Sequence, residues 1–216
     1  MTITVLPFPE LPYEEFDLEP INMREVSRMQ GRDTETADFG TPYWRLKSAR
    51  TPWLTSAEID IAETFFHRAF IGKTVFECHD IYRPRPSAYG GTPLSGTRAG
   101  GGAFDGTATL EEVTDSRTIV VSGLPAGFQI NQSCHVEIRK SETVRSLHRI
   151  TAAATADAGG EVTLSIAFAL DTGVFTAANS TVNFERPSCL MLLSLGAGVP
   201  KARSNRRASF SATEIF

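Results

Sequence analysis

Two short stretches combine residue types that bind metals or act in nucleophilic catalysis: Cys78-His79-Asp80 and Cys134-His135-Val136-Glu137. Neighbouring residues in a strand point to opposite faces, so Cys78 and His79 cannot converge on one metal or form a nucleophile–base pair. His135 and Glu137 do share a face, as in the His-x-Glu of zinc deaminases. The Cys-x-x-Cys that completes such a zinc site is absent from the sequence. We therefore predict no catalytic residue, no metal ligand and no enzymatic activity.

Two glycine-containing stretches suggest phosphate binding, and neither has the required context. Gly72-Lys73-Thr74 resembles the end of a Walker loop, but His67 occupies the position of the earlier glycine, and the trio follows a helix instead of opening one. Gly100-Gly101-Gly102, followed by Gly106, has no long apolar strand before it and no capped helix after it. Both stretches are interpreted as structural turns, and we predict no cofactor-binding residue.

Composition describes an ordinary globular chain. It has 216 residues, 41% of them hydrophobic, and a formal net charge of -4 from 21 basic and 25 acidic residues. This balance provides no basic surface for holding nucleic acid, although it is compatible with a passage through which DNA slides. Three scattered cysteines (Cys78, Cys134 and Cys189) favour buried thiols over disulfides. No segment resembles a signal peptide or a membrane span, so we expect a soluble protein made in a cytoplasm.

One helix organises the first part of the chain. Thr55 and Glu58 have the spacing of a capping box, so the helix should begin near Ser56, and Gly72 is a suitable stop. Its apolar stripe consists of Ile59, Ala62, Phe65, Phe66, Ala69 and Phe70. The stripe requires a sheet to cover, which the flanking runs Tyr43–Leu54 and Thr74–Tyr82 should supply. Trp44 and Trp53, in or next to the first run, are expected in the core.

The remaining sequence favours strands. The proline-rich residues 1–20 suit an extended arm or an edge strand. Residues 21–30 and 33–39 fit two strands turning at Gly31-Arg32, with a short helix over 22–29 as the alternative. Short β-like runs then occur at Arg117–Ser122, Cys134–Lys140, Thr143–Ala153, Glu161–Phe168, Thr181–Phe184, Cys189–Leu195 and Ala208–Phe216. The predicted class is mainly β: a sandwich or split barrel with one flanking helix, plus an inserted small β-barrel or sandwich.

The predicted domain division follows the change in composition after Pro86. The first domain comprises residues 1–86 and the closing strands of 185–216. Residues 87–106, rich in Gly, Ser and Thr, form a linker, and residues 107–184 form the inserted β domain. An insertion between two strands is tolerated when its two ends lie close together.

Several patterns together resemble one family. Trp44-Arg45-Leu46 precedes the single helix, Gly72-Lys73-Thr74-Val75-Phe76 leads into a strand, and the glycine-rich insertion follows. His148-Arg149-Ile150 with Ala154–Leu164 is similar to a recurrent strand pair, and Val182–Pro187 precedes an apolar return strand. From about Thr41 onward, the chain resembles the distal tail proteins of long-tailed, siphovirus-like bacteriophages and gene transfer agents.

The resemblance implies a tail-tube-like fold and a structural role in the virion. It implies a hexameric ring at the tail tip that joins the tail tube to the central hub or baseplate, with a lumen for DNA and the tape-measure protein during genome ejection. The protein would be made in the host bacterial cytoplasm. The alternative is a carbohydrate-binding module that recognises the host surface during attachment. Residues 104–184 contain no Trp or Tyr for sugar stacking, which leaves Phe104, Phe128, Phe168 and Phe175 as poor substitutes.

Overall fold

The computed structural model describes residues 3–28, 34–38, 40–194, 196, 198 and 206–215. These residues are mainly β, with a curled half-barrel sheet and one α-helix, which confirms the predicted β-sandwich or barrel class. The strands are β1 (Thr4–Leu6), β2 (Glu15–Ile21), β3 (Arg24–Arg28), β4 (Thr34–Asp38), β5 (Tyr43–Arg50), β6 (Thr74–His79), β7 (Thr107–Asp115), β8 (Thr118–Ser122), β9 (Gln129–Ile130), β10 (His135–Ser141), β11 (Val144–Arg149), β12 (Ala154–Thr155), β13 (Val162–Ser165), β14 (Thr181–Asn183), β15 (Ser188–Leu193) and β16 (Ser209–Glu214). Helix α1 spans Ser56–Ala69, and a 3₁₀ turn spans Ser87–Tyr89. Within the described ranges, no helix is long and apolar enough to cross a membrane.

The first sheet has six strands in the order β1-β6-β15-β16-β5-β2. Strand β1 runs parallel to β6, and the other neighbouring pairs are antiparallel. The proline-rich N-terminal region forms both edges of the sheet, as β1 and β2, in agreement with the predicted edge strands. Proline is tolerated at an edge because the outward N–H groups of an edge strand have no ladder partner.

Helix α1 covers this sheet and begins where the capping box predicts. The Thr55 hydroxyl accepts from the Glu58 backbone N–H at 3.4 Å, and the Glu58 carboxylate accepts from the Thr55 N–H at 2.7 Å. The Phe65 ring lies 5.3 Å from that of Phe76 in β6, and the Phe66 ring lies 5.5 Å from that of Phe210 in β16. These ring contacts fix the helix to the centre of the sheet.

Two aromatic residues predicted to be buried are exposed. Phe70 is 48% exposed. Ile61, on the opposite edge of the helix's apolar stripe, is 47% exposed. At about 100° per residue, both positions lie roughly 90° from the centre of the buried stripe. Trp53 is 57% exposed because it lies after β5, in the turn before the helix, and only Trp44 enters the core. The predictions for Phe70 and Trp53 were therefore wrong.

The second sheet is antiparallel, with the order β11-β10-β14-β7-β8-β13. Its five other strands coincide with runs predicted from the sequence, whereas the nine-residue strand β7 was missed. The outer half of β7 carries consecutive glutamates, Glu111 and Glu112, and its residues beyond Leu110 are largely exposed. That half lacks the alternation on which strand prediction depends. The second sheet encloses its own core, which includes Leu110, Ile119 and Phe184.

Strands β3 and β4 form a separate two-stranded hairpin. This confirms the predicted pair of strands and contradicts the alternative of a helix over 22–29. The predicted turn at Gly31-Arg32 lies outside the described residues. The hairpin leaves the first sheet after β2 and returns into β5.

The segment of residues 87–106, predicted to be a linker, packs against the second core. Leu94 and Phe104 are buried there, and the Tyr89 ring stacks on that of Phe128 at 4.7 Å. The chain passes from the first sheet to the second near Pro84 and returns near Arg186. These two segments lie side by side, because the Arg186 N–H donates to the Pro84 carbonyl at 2.6 Å. The division into two domains remains a prediction.

Candidate functional site

A group of polar side chains, most of them buried, lies where the two sheets meet, at β10 and β11 of one and β6 and β15 of the other. We call Glu77, Glu137, Arg145 and Ser188 the arginine cluster. The Arg145 guanidinium contacts the Glu77 carboxylate at 3.0 Å, the Glu137 carboxylate at 3.5 Å and the Ser188 hydroxyl at 2.9 Å. The Arg145 side chain is 1% exposed and that of Glu137 is fully buried. The cluster thus holds a desolvated ion pair between the sheets.

Strand alternation explains why these charges point inward. In β11, Arg145 and Leu147 share the face that packs on the first sheet, and in β10 Glu137 shares a face with His135. Sequence reasoning singled out Glu137 but missed Arg145 and Glu77. Two charges of opposite sign on the same face of a predicted antiparallel strand pair, Glu137 in β10 and Arg145 in β11, were the signal that could have revealed the pair.

The hydrogen-bonding capacity of Glu137 is fully used. Its carboxylate accepts from the Ser188 N–H at 3.0 Å, the Asn183 amide at 3.2 Å and the Arg139 guanidinium at 2.6 Å, in addition to Arg145. A buried carboxylate that accepts from this many donors has no lone pair left for a substrate. The cluster therefore acts as a structural clamp between the sheets.

A second group, the Trp44 cluster, comprises Trp44, His135 and Glu214, together with His148, whose ring contacts that of Phe168, which in turn contacts Trp44. The Trp44 indole N–H donates to the Leu147 carbonyl across the sheet interface at 2.6 Å, and its backbone N–H donates to the Glu214 carboxylate at 2.7 Å. The His135 ring lies edge-on to the indole at 5.3 Å. Trp44 is fully buried, so one residue links β5 and β16 of the first sheet to β10 and β11 of the second.

Burial controls ionisation in the Trp44 cluster. Desolvation raises the pKa of Glu214 to about 7. It lowers the pKa of His135 to about 4, although the negative charge of Asp80 acts to raise that pKa. Desolvation also lowers the pKa of His148 to about 4. Among the described residues, neither ring nitrogen of His135 has a hydrogen-bond partner, and the Asp80 carboxylate is 3.9 Å from its Nδ1. Both imidazoles are therefore neutral near pH 7.

The cysteines are not placed for nucleophilic chemistry. Cys78, Cys134 and Cys189 are free and buried, as predicted. Desolvation, assisted by the charge of Asp80, raises the pKa of Cys78, and desolvation likewise raises that of Cys189. A thiol held in its neutral form is a poor nucleophile. His79 lies on the opposite side of β6, with its ring 5.7 Å from that of Phe8.

The glycine-containing stretches are turns. Gly72 has φ of +65°, and the next strand begins at Thr74, so this is the predicted helix-to-strand turn. In the second stretch, the Gly101 N–H donates to the Arg98 carbonyl at 2.9 Å. Gly101 and Gly102 have φ near +90°, a region that glycine enters without strain.

The described residues include no group of three His, Cys, Asp or Glu side chains that could hold a metal ion. A cavity of about 500 Å³ adjoins both clusters and is lined by Arg145, Leu190, Glu214 and Phe175, among others. Its lining is largely apolar, and Arg145 is already paired. The arrangement binds the two sheets to each other and does not assemble an acid, a base and a nucleophile around one point.

The sequence matches no protein-family model, and no curated protein matches it at a significant level.

Proposed function

We propose that this protein is a structural subunit of the phage or gene-transfer-agent tail tip, a distal tail protein. It would form a hexameric ring that joins the tail tube to the central hub and leaves a lumen for DNA. The tail-tube protein, the hub or baseplate protein and the tape-measure protein are the proposed partners. The family resemblance from about Thr41 onward motivates this proposal, and the distribution of exposed apolar side chains supports it.

That distribution is the observation on which the proposal chiefly rests. Ten large hydrophobic side chains are exposed among the described residues: Ile3, Met23, Val26, Trp53, Ile61, Phe70, Ile71, Tyr82, Val144 and Leu192. Only Val144 belongs to the second sheet. Apolar surface concentrated on one part of a molecule is typical of a protein interface. This distribution supports assembly through the part of the molecule around the first sheet, with the second sheet projecting from it.

The hairpin β3–β4 supports the same proposal. Its described side chains are exposed on both faces, so no core of its own chain covers it. A two-stranded sheet alone is marginally stable in water. Contact with a neighbouring subunit would stabilise it.

The carbohydrate-binding alternative has less support. Sugar stacking needs flat exposed aromatic rings, and Phe104, Phe128, Phe168 and Phe175 are at most 8% exposed. Exposed Trp53 and Tyr82 lie outside the second sheet. No observation on the second sheet favours sugar binding over assembly.

The test is assembly with the tail-tube and hub proteins of the same particle. We expect native mass spectrometry to give six times the mass of one chain, and electron microscopy to show rings that bind one end of the tail tube. A protein that binds neither partner and stays monomeric at high concentration would refute the proposal. A glycan array with the full chain tests the alternative, and strong binding there by a monomer would favour it.

A further inference from the structure

The cavity of about 500 Å³ that adjoins both clusters reaches the surface of the molecule. Its lining includes the exposed residues Thr143, Val144 and Asp171 and the buried residues Leu190 and Phe175. Val144, 36% exposed, is the one large hydrophobic side chain that is exposed on the described strands of the second sheet. Small-molecule sites are typically cavities of this size with an apolar lining and a few polar groups. The cavity therefore suits a small ligand with an apolar part.

Glu214 is a buried group of this lining without a charged partner. The residue is 9% exposed, and the hydrogen bond that the described residues give its carboxylate comes from the Trp44 backbone N–H, which donates to Oε2 at 2.7 Å. No ion pair with a described cation offsets its desolvation, which raises the pKa of Glu214 to about 7. A carboxylate accepts hydrogen bonds at both oxygens, so Oε1 is left for a ligand in the cavity.

The charges in the lining favour a cation as that ligand. Arg145 carries the positive charge, and its guanidinium is already paired with Glu77 and Glu137. Asp171 forms no ion pair within the described part of the chain, and its carboxylate accepts from a backbone N–H of its own turn. Glu214 and Asp171 thus give the lining a negative charge that no described side chain compensates. Coulombic attraction is stronger at a desolvated carboxylate than in bulk water, so a cation gains most at Glu214.

We propose that the cavity binds a small primary amine in its ammonium form, with the nitrogen at Glu214 and an apolar chain against Leu190 and Phe175. The ammonium would donate to Oε1 of Glu214, and a charge-assisted hydrogen bond of this kind is about twice as strong as a neutral one. The chain would remove part of the apolar lining from water. Asp171 at the rim would attract the cation from solution. Amine binding goes beyond the proposed function and does not require a ring.

Three ligands of nearly equal length test the preference for a cation: n-hexylamine, 1-hexanol and hexanoate. Each is titrated into the isotope-labelled full chain at pH 8 and followed by the amide chemical shifts. We expect n-hexylamine to bind with a Kd of about 1 mM, a typical affinity for a ligand of this size. The alcohol should bind about 10-fold more weakly, because it lacks the charge-assisted bond. Hexanoate should not bind, because its charge has the wrong sign.

The pH dependence of binding gives a second readout. The amine remains an ammonium below about pH 10, so its own charge is constant between pH 6 and pH 8. The Glu214 carboxyl is about one-tenth ionised at pH 6 and about nine-tenths at pH 8, so the affinity for n-hexylamine should rise about 10-fold over this range. The neighbouring Cys78 and Cys189 thiols stay neutral because burial raises their pKa, and the two histidines of the Trp44 cluster stay neutral because burial lowers theirs. Since Arg145 and Asp171 carry a constant charge, the affinity for 1-hexanol should not rise.

Two variants locate the ligand. Glu214→Gln keeps the shape of the side chain and removes its charge, so n-hexylamine should bind about 10-fold more weakly at pH 8 and without dependence on pH. Ala169→Phe adds a ring to a half-buried residue of the lining and should block binding by filling the cavity. The matched control is Glu112→Gln, an exposed carboxyl of β7 outside the lining, which should give the wild-type affinities. The amide spectrum of each variant shows whether it is folded.

The wild-type chain alone can overturn the inference. It would do so by failing to bind n-hexylamine, by binding the amine and the alcohol equally, by showing no gain in amine affinity between pH 6 and pH 8, or by shift changes confined to residues outside the cavity. A folded Glu214→Gln or Ala169→Phe chain with wild-type affinity for n-hexylamine would have the same consequence. None of these results bears on ring formation, so the proposed function keeps its own test by native mass spectrometry.

Discussion

Glu214→Gln should change the pH dependence of stability in a predictable direction. The carboxyl of Glu214 lies in the Trp44 cluster, where desolvation raises its pKa from 4.5 to about 7. The folded state therefore holds this proton more tightly than the unfolded state. Stability from this group is fully present below pH 4.5 and is lost as the pH rises through about 7.

The magnitude follows from linkage. Between pH 5 and pH 8, a group with these two pKa values lowers the free energy of unfolding by about 2–3 kcal/mol. His135 and His148 act in the opposite direction, because their folded pKa values of about 4 lie below the ordinary 6.5. Each raises stability by about 2 kcal/mol over the same interval. The free energy of unfolding of the wild type should thus rise by about 1–2 kcal/mol between pH 5 and pH 8, and that of Glu214→Gln by about 4 kcal/mol.

Urea unfolding at pH 5, 6, 7 and 8 measures this effect. The glutamine keeps an acceptor for the Trp44 N–H, but its buried amide adds a constant cost of about 1–2 kcal/mol. The slope with pH is therefore the informative quantity. The matched control is Glu112→Gln, an exposed carboxyl in β7, which should keep the wild-type slope. Equal slopes for wild type and Glu214→Gln would refute the burial argument.

Three further predictions concern packing. Phe66→Ala should cost about 3–5 kcal/mol in urea unfolding, and Phe70→Ala below about 1 kcal/mol, because only the former ring is buried; equal costs would show that the buried face is misassigned. Trp44→Phe should cost about 2–4 kcal/mol, since it shrinks the core and leaves the Leu147 carbonyl unpaired; a neutral effect would show that this hydrogen bond is dispensable. Replacing residues 87–187 with a short Gly/Ser bridge should expose Trp44 to solvent and give a chain that binds the dye ANS. A product that is as stable as the wild type and binds no ANS would show that the first sheet does not need the second sheet to bury its apolar face.

Local signals in the sequence predicted the first part of the fold well. The Thr55–Glu58 capping box depends only on residues three apart, so its position could be derived without any tertiary information. Phe70 was wrongly predicted to be buried because the apolar stripe of helix α1 was extended to the residue at which the helix ends. Trp53 was wrongly predicted to be buried because an aromatic residue near the end of a strand does not reveal whether the strand continues through it.

The candidate site could be predicted only in part, because its chemistry depends on which strands become neighbours. Glu137 was visible as a member of a suggestive sequence stretch, but its partner Ser188 comes from a strand 51 residues away, and its contact with Arg145 depends on the register of β10 and β11. Strand β7 was missed for a related reason. Its pairing with β14 and β8 holds it in the sheet even though its outer half lacks alternation.

The polar contacts between the two sheets bear on assembly. A buried ion pair such as Glu137–Arg145 contributes little net stability, because desolvation of both charges offsets their attraction. The contacts that cross from one sheet to the other, between Arg145 and Glu77 and between Ser188 and both Arg145 and Glu137, do fix geometry. Another arrangement of the sheets would remove these partners from the buried Arg145 and Glu137. A rigid relation between the sheets would be of little use to a chain that only needs to fold. It is of use to a subunit whose neighbours contact one sheet while the other projects, because the projecting sheet then keeps a constant direction around the assembly.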